Sequence, residues 1–211
     1  MGNTSSSTEY KQILYRKIIT AANEAFMTKG VRAVKMDDLA KSLSISKRTL
    51  YEIFDDKEQL LLACVDEGYK TFRNEMERFI AKTNPSPIAI ILEFYRVQMI
   101  RLSNVTPEFY EDIDRYPKVV EWFRLNKIKN RGETKKFFDQ GMKEGYFVNN
   151  IDFSLISMAG DAIREYISSR QLLRQYSMKK IFHDVVFTFI RGFCTQKGIT
   201  ELDHNISKIK V

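Results

Sequence analysis

Apolar residues recur along this chain at spacings of three and four, the period of an α-helix with one face turned inward. Leu14, Ile18, Ala21, Ala22, Ala25 and Phe26 set the rhythm first. They predict a helix that opens near Ser6, where Ser6 and Glu9 have the spacing of a capping box, and stops at Gly30. A short second helix is expected from Met36 to Leu43, with Asp37 and Asp38 in a first turn that favours negative charge. A third runs from Lys47 to Phe54 behind Ser46 as N-cap. Asp55 and Glu58 bracket another capping box, which opens a long helix from Asp56 to Thr83 that the sequence NPSP ends. Beyond Pro87 the turn signals thin out. Helices over residues 88–103, Pro107–Arg115, Pro117–Lys143 (closed by Gly145), 152–174 and 178–195 bring the expected number to about nine, with no internal repeat. The fold class is all-α.

Composition supports that reading and narrows the chemistry. Four prolines and nine glycines in 211 residues are too few for a sandwich or barrel that turns every ten residues or so. A hydrophobic content of 44% is that of an ordinary globular protein. Cys64 and Cys194, the only cysteines, lie in apolar helical patterns and read as buried free thiols of a reducing cytosol. No apolar run approaches the roughly 18 residues that would span a bilayer, and no signal peptide opens the chain, so the expected location is cytoplasmic. The myristoylation-like start MGNTSS and the sequons at Asn3, Asn104 and Asn205 are read as coincidences, and Asn3 to Thr8 as a frayed tail. His183 and His204 have no companion at metal-ligand spacing, and there is no Gly-rich phosphate loop, nucleophile elbow or Cys/His pairing. An enzyme, a metal site and a cofactor are therefore not expected.

The net charge of +7 suits an anionic partner, but the first sixty residues carry ten Lys/Arg against eight Asp/Glu, so the excess is not concentrated there. The informative feature is local. In LAKSLSISKRTLYEIFDDKEQL, residues 39–60, a helix held by Leu50, Tyr51 and Phe54 begins with Lys47 and Arg48. A helix start already carries positive partial charge, so two cations there are unfavourable unless an anion meets them. A helix, a turn and a second helix with a cationic start is the layout of a helix-turn-helix, whose second helix enters the DNA major groove.

From Leu14 to Leu61 the sequence resembles the N-terminal domain of the tetracycline-repressor (TetR) family of bacterial transcription regulators. The likeness rests on AANEAFMTKG, DDLAKSL and SISKRTLYEIFDDKEQL, and on Ala22, Phe26, Gly30, Leu39, Ala40, Ser46, Thr49, Leu50, Tyr51, Phe54, Lys57 and Leu60 recurring together. It implies a three-helix helix-turn-helix domain over 1–55, with the motif at about 35–54, and a larger helical ligand-binding and dimerisation domain over 56–211. Leu39, Ala40, Ile45, Leu50 and Phe54 would form the small core of the motif. Lys35, Met36, Ser46, Lys47, Arg48, Thr49, Tyr51 and Lys57 are the implied DNA-contact residues, with Tyr51 and Lys57 on phosphates. Three departures from the family pattern stand out. Lys35 stands at an N-cap usually held by Ser or Thr, Ser44 replaces the turn glycine, and Glu52 with Ile53 falls where relatives often carry Tyr or His.

In the second half, Phe153, Ile156, Ile163 and Ile167 line one face of a helix while Leu155, Met158, Ala162 and Tyr166 line another. A helix apolar on both sides is buried on both, one side in its own core and the other against a partner chain. Ile156, Ala159, Gly160, Ile163, Val185 and Phe189 are the expected dimer contacts. Phe94, Tyr95, Met99, Phe109, Tyr110, Trp122, Phe123 and Phe138 are the candidates for an apolar ligand pocket. The expected function is that of a homodimeric regulator that binds a near-palindromic double-stranded DNA operator and is released by a small-molecule effector. The rivals are a helical small-molecule carrier or sensor that has lost DNA binding, and a monomeric adaptor.

Overall fold

The computed structural model of the chain describes residues 3–102 and 105–206, and their side chains apart from those of residues 3–8 and Leu102. The MG start, the Asn104 sequon and the Ser6 side chain of the expected capping box lie outside the described residues and side chains. The backbone is already helical at Asn3, so Ser6 does not stand at the helix start.

The described chain forms α1 (Asn3–Lys29), α2 (Met36–Ser42), α3 (Lys47–Ile53), α4 (Lys57–Thr83), α5 (Pro87–Leu102), α6 (Pro107–Ile113), α7 (Pro117–Lys143), α8 (Phe153–Ser169), α9 (Met178–Ile181), α10 (Phe187–Arg191) and α11 (Gln196–Ile206). Each of the nine expected helices has a counterpart, α11 is additional, and the segments after Ile151 depart from expectation. The segment expected over 152–174 stops at Ser169, because Gln171 takes a left-handed conformation (φ 51°) and a single 3-10 turn follows. The last expected helix is interrupted by a π-helical turn over Phe182–Val186. That wider turn lets Phe182 and Phe187, five residues apart, both meet the Tyr95 ring, at centroid distances of 5.4 and 4.8 Å.

The chain packs as two compact units, one of residues 1–70 with 104–124 and the other of residues 71–103 with 125–211. The break expected near residue 55 is therefore not where the packing divides. Leu60, Leu61 and Cys64 of α4, Phe109 of α6 and Val119 of α7 belong to the same apolar cluster as Ile18, Ala22, Phe26, Leu39 and Leu50. One long and two short helices bury too little surface alone, and the start of α4 with α6 completes their core. Burial of a side chain such as Ile18 or Leu50, both fully enclosed, contributes about 1.5–3 kcal/mol.

The second unit is built on Ile88, Leu92, Tyr95, Met99, Phe147, Phe187, Phe193 and Leu202. The Phe147 ring lies directly on Gly141, where any larger residue would collide with it. An isolated antiparallel bridge joins Phe147 to Cys194. Both cysteines are buried free thiols, and burial raises them to about 12 for Cys64 and about 11 for Cys194.

Candidate nucleic-acid interface

The turn between α2 and α3 forms as the sequence dictates, with one conformational cost. Ser44, which replaces the turn glycine of the resembled pattern, sits at φ 55°, and its N–H donates to the Lys41 carbonyl at 3.0 Å. A non-glycine residue there costs on the order of 1 kcal/mol. Ser46 then caps α3: its Oγ accepts the Thr49 N–H at 3.0 Å and shares a 2.7 Å hydrogen bond with the Thr49 hydroxyl. Leu50 is fully buried, and Phe54, 2% exposed, stacks on Tyr15 with ring centroids 5.3 Å apart. These anchors turn the opposite face of α3 outward. Lys35, Ser46, Lys47, Arg48 and Tyr51 are all exposed and Thr49 is half-buried.

The two leading cations are not bare. Lys47 Nζ lies 3.0 Å from Asp37 Oδ2 and 5.8 Å from the Tyr51 ring centroid, while Arg48 Nε lies 2.8 Å from Glu52 Oε1. Hydrogen bonding to Asp37 and to Glu52 holds both cations above their ordinary pKa. With 88% of the Arg48 side chain exposed, its ion pair is water-screened and exchangeable. Glu52 thus pairs along its own helix. Lys35 precedes α2 in an extended conformation and makes no side-chain cap bond.

Two expected contact residues are placed differently. Met36 is 7% exposed and packs in the core with Leu39 and Ala40, because the first residue of α2 faces α1. Lys57, at the start of α4, reaches back to the loop after α1, where Nζ donates to the Val31 carbonyl at 3.0 Å and the Arg32 carbonyl at 3.3 Å. Burial lowers its pKa, opposed by the nearby Asp112 charge. A residue that sequence reasoning missed is Asp112 of α6, whose Oδ2 accepts the Arg32 N–H at 2.8 Å. Nothing local marks it, since the two residues are eighty positions apart.

The eight ligand-pocket candidates do not share one unit. Phe109, Tyr110, Trp122 and Phe123 belong to the first, where Trp122 Nε1 donates to Asp66 Oδ1 at 3.3 Å and the Tyr110 hydroxyl is enclosed without a hydrogen-bond partner. Phe94, Tyr95, Met99 and Phe138 belong to the second. There Tyr95 and Met99 are core, and Phe138 stacks on Phe153 at 4.2 Å. An open groove of about 850 Å³ lies instead along α1, α3 and α4, lined by Leu14, Tyr15, Ile19, Thr49 and Ile53 among others.

The dimer candidates also divide. Ile156 and Phe189 pack on their own core, and a side chain at Gly160 would be in ordinary contact with Phe189, at 3.7 Å, within the same chain. Ile163 is half-buried, and Ala159 and Val185 are exposed. The outward side of α8 carries Leu155, Met158 and Tyr166, between 58 and 64% exposed, with Ala162 between them. Among the described residues no group of three His, Cys, Asp or Glu could hold a metal, and no helix is long and apolar enough to cross a membrane.

A capped, outward-facing α3 set on a core shared by α1, α2 and the start of α4 defines a helix-turn-helix DNA-binding protein. Residues 18–64 match the profile of the bacterial regulatory proteins of the tetR family. Over 134 residues the chain is 31% identical to the biofilm operon icaADBC HTH-type negative transcriptional regulator IcaR of Staphylococcus aureus, covering 59% of this chain and 69% of that protein. It is 23% identical over 177 residues to the HTH-type dhaKLM operon transcriptional activator DhaS of Lactococcus lactis, covering 83% of this chain and 89% of that one. Among solved structures, a transcriptional regulator from Cytophaga hutchinsonii superposes with a TM-score of 0.65 at 19% identity, over 85% of this chain and 98% of its own. Regulatory protein TetR from Rhodobacter sphaeroides does so with 0.64 at 20%, over 84% and 97%. The chain belongs to the TetR family.

Proposed function

We propose that the chain is a cytoplasmic, homodimeric transcription repressor that reads a near-palindromic operator and is released from it by a small-molecule effector. The carrying observation is the exposed start of α3, where Lys47, Arg48 and Tyr51 stand on a helix capped by Ser46 and fixed by Leu50. Arg48 is the residue assigned to base edges, with Lys35, Lys47 and Tyr51 on neighbouring phosphates. Two copies of α3 would enter successive major grooves roughly 34–36 Å apart. The second copy docks on the exposed apolar side of α8, through Leu155, Met158, Ala162 and Tyr166. The effector contacts are assigned to α5, where Phe94 remains 40% exposed beside the Phe72 ring. A ligand that favours one of two conformations shifts DNA affinity by its differential affinity for them.

Selection of bound sequences from random duplexes, repeated with candidate metabolites, tests the reading. A near-palindrome whose enrichment a metabolite abolishes is the expected result, with affinity falling steeply as salt rises. Affinity indifferent to salt, with metabolite binding intact, would instead identify a small-molecule carrier.

A further inference from the structure

Among the described residues a single charged side chain is buried, the Asp112 carboxylate of α6 at 6% exposure. A carboxylate out of water persists where hydrogen bonds and cations compensate it. Here it accepts the Arg32 N–H at 2.8 Å and lies close enough to Lys57 to oppose the effect of burial on that ammonium. Lys57 in turn holds the carbonyls of Val31 and Arg32. Three successive polar groups of one loop, carbonyl, N–H and carbonyl, are thus held by two side chains distant in sequence. The segment that opens α6 also meets the end of α1 and the loop's first residue. The Thr106 N–H, just before α6, donates to the Met27 carbonyl at 2.9 Å, and a Cβ at Gly30 would lie 2.8 Å from Glu108 Cβ.

That loop leads straight into α2, and α2 carries α3 with it, because Leu39, Ala40 and Leu50 share one core. Displacing Arg32 therefore displaces the DNA-reading face as a block. We propose that Asp112 is a positioning residue for DNA recognition, fixing through the Arg32 amide the angle at which α2 and α3 leave α1. The proposal rests on the DNA-reading function above and touches no base or phosphate itself. Its chemistry requires an acceptor at this position, so Asp112→Asn, whose amide oxygen can still take the Arg32 N–H, should act differently from Asp112→Ala.

The test combines operator binding with hydrogen exchange in the full-length protein. With the operator obtained by duplex selection, Asp112→Ala should lower the ratio of operator to non-operator affinity at least tenfold at a temperature where the variant is folded. The dependence on salt should stay unchanged, since no phosphate contact is lost. Asp112→Asn should keep the ratio within about threefold of the wild type. The Arg32 amide should exchange slowly in the wild type and at least tenfold faster in Asp112→Ala. A merely structural residue would lower the melting temperature and leave the affinity ratio of the folded protein alone. A folded Asp112→Ala protein with an unaltered ratio overturns the proposal. So does rapid exchange at Arg32 in the wild type, which needs neither a variant nor DNA and remains decisive if Asp112→Ala does not fold or no operator emerges.

Discussion

Replacing Lys57 separates two physical roles that the sequence alone merges. In the resembled family a lysine at this place meets a phosphate, whereas here its ammonium donates to the Val31 and Arg32 carbonyls. Lys57→Met keeps most of the stem and removes the charge. A hydrogen bond with a charged partner contributes about 1.5–3 kcal/mol where it is well shielded. Lys57 is only half-buried and both carbonyls can turn to water, so a total loss of about 1–2 kcal/mol is expected. With a urea dependence near 3 kcal/mol per molar for a chain of this size, the midpoint should fall by roughly 0.5 M. DNA affinity should fall too, by displacement of the loop, while the slope of log affinity against log salt stays as in the wild type. A phosphate contact instead contributes about 0.9 to that slope per protomer. A slope reduced by that amount at unchanged stability would refute the loop-clamp reasoning.

Other expectations are narrower. Arg48→Ala should blunt discrimination between operator and mismatched duplexes by about 1–3 kcal/mol at the base pair it reads; equal loss on every duplex would remove it from base reading. Leu155→Glu or Tyr166→Glu should convert a dimer to a monomer in sedimentation at micromolar concentration, because each puts a charge into an apolar contact; an unchanged sedimentation coefficient would exclude that face of α8. The Asp56 carboxylate is held below its ordinary pKa, chiefly by the Gln59 N–H at 2.6 Å and further by Lys118. Since its pKa is lower folded than unfolded, its contribution is present above the unfolded value and disappears as pH falls through the folded one. Asp56→Asn should therefore flatten the acid side of a stability–pH curve; an unaltered acid limb would contradict it.

What the sequence discloses and what it hides follow the range of the interactions involved. The Ser46 cap depends on residues within a few positions of one another, the Leu50 and Phe54 anchors show in the apolar spacing of α3, and the turn at Ser44 was legible through the family resemblance. Helix α11 was legible in principle, since Ile199, Leu202 and Ile206 have helical spacing and the Thr195 hydroxyl accepts the Gly198 N–H at 3.4 Å, but the pattern is short and lies among polar residues. Met36 and Lys57 were misplaced for a different reason. Each sits at the first position of a helix, where sequence gives the start but not the direction the side chain takes, and tertiary neighbours decided it. Asp112, and the inclusion of α6 in the first unit, depend on contacts across eighty residues for which no local spacing exists.

The pairing of Arg48 with Glu52 and of Lys47 with Asp37 bears on how such a surface can be selective. Unpaired cations at the start of α3 would attract any duplex, since phosphate attraction carries no sequence information. Glu52, one turn along α3, and Asp37 of α2 hold the same cations in defined positions and reduce that indiscriminate attraction. If Arg48 reads base edges as proposed, a duplex that offers it two acceptors would exchange the exposed pair with Glu52 for a better one, while on other duplexes Glu52 would remain a rival for the guanidinium and a repulsive neighbour for phosphate. On that proposal Glu52 would trade affinity for discrimination. Removing it by Glu52→Gln should raise affinity for non-operator DNA more than for the operator.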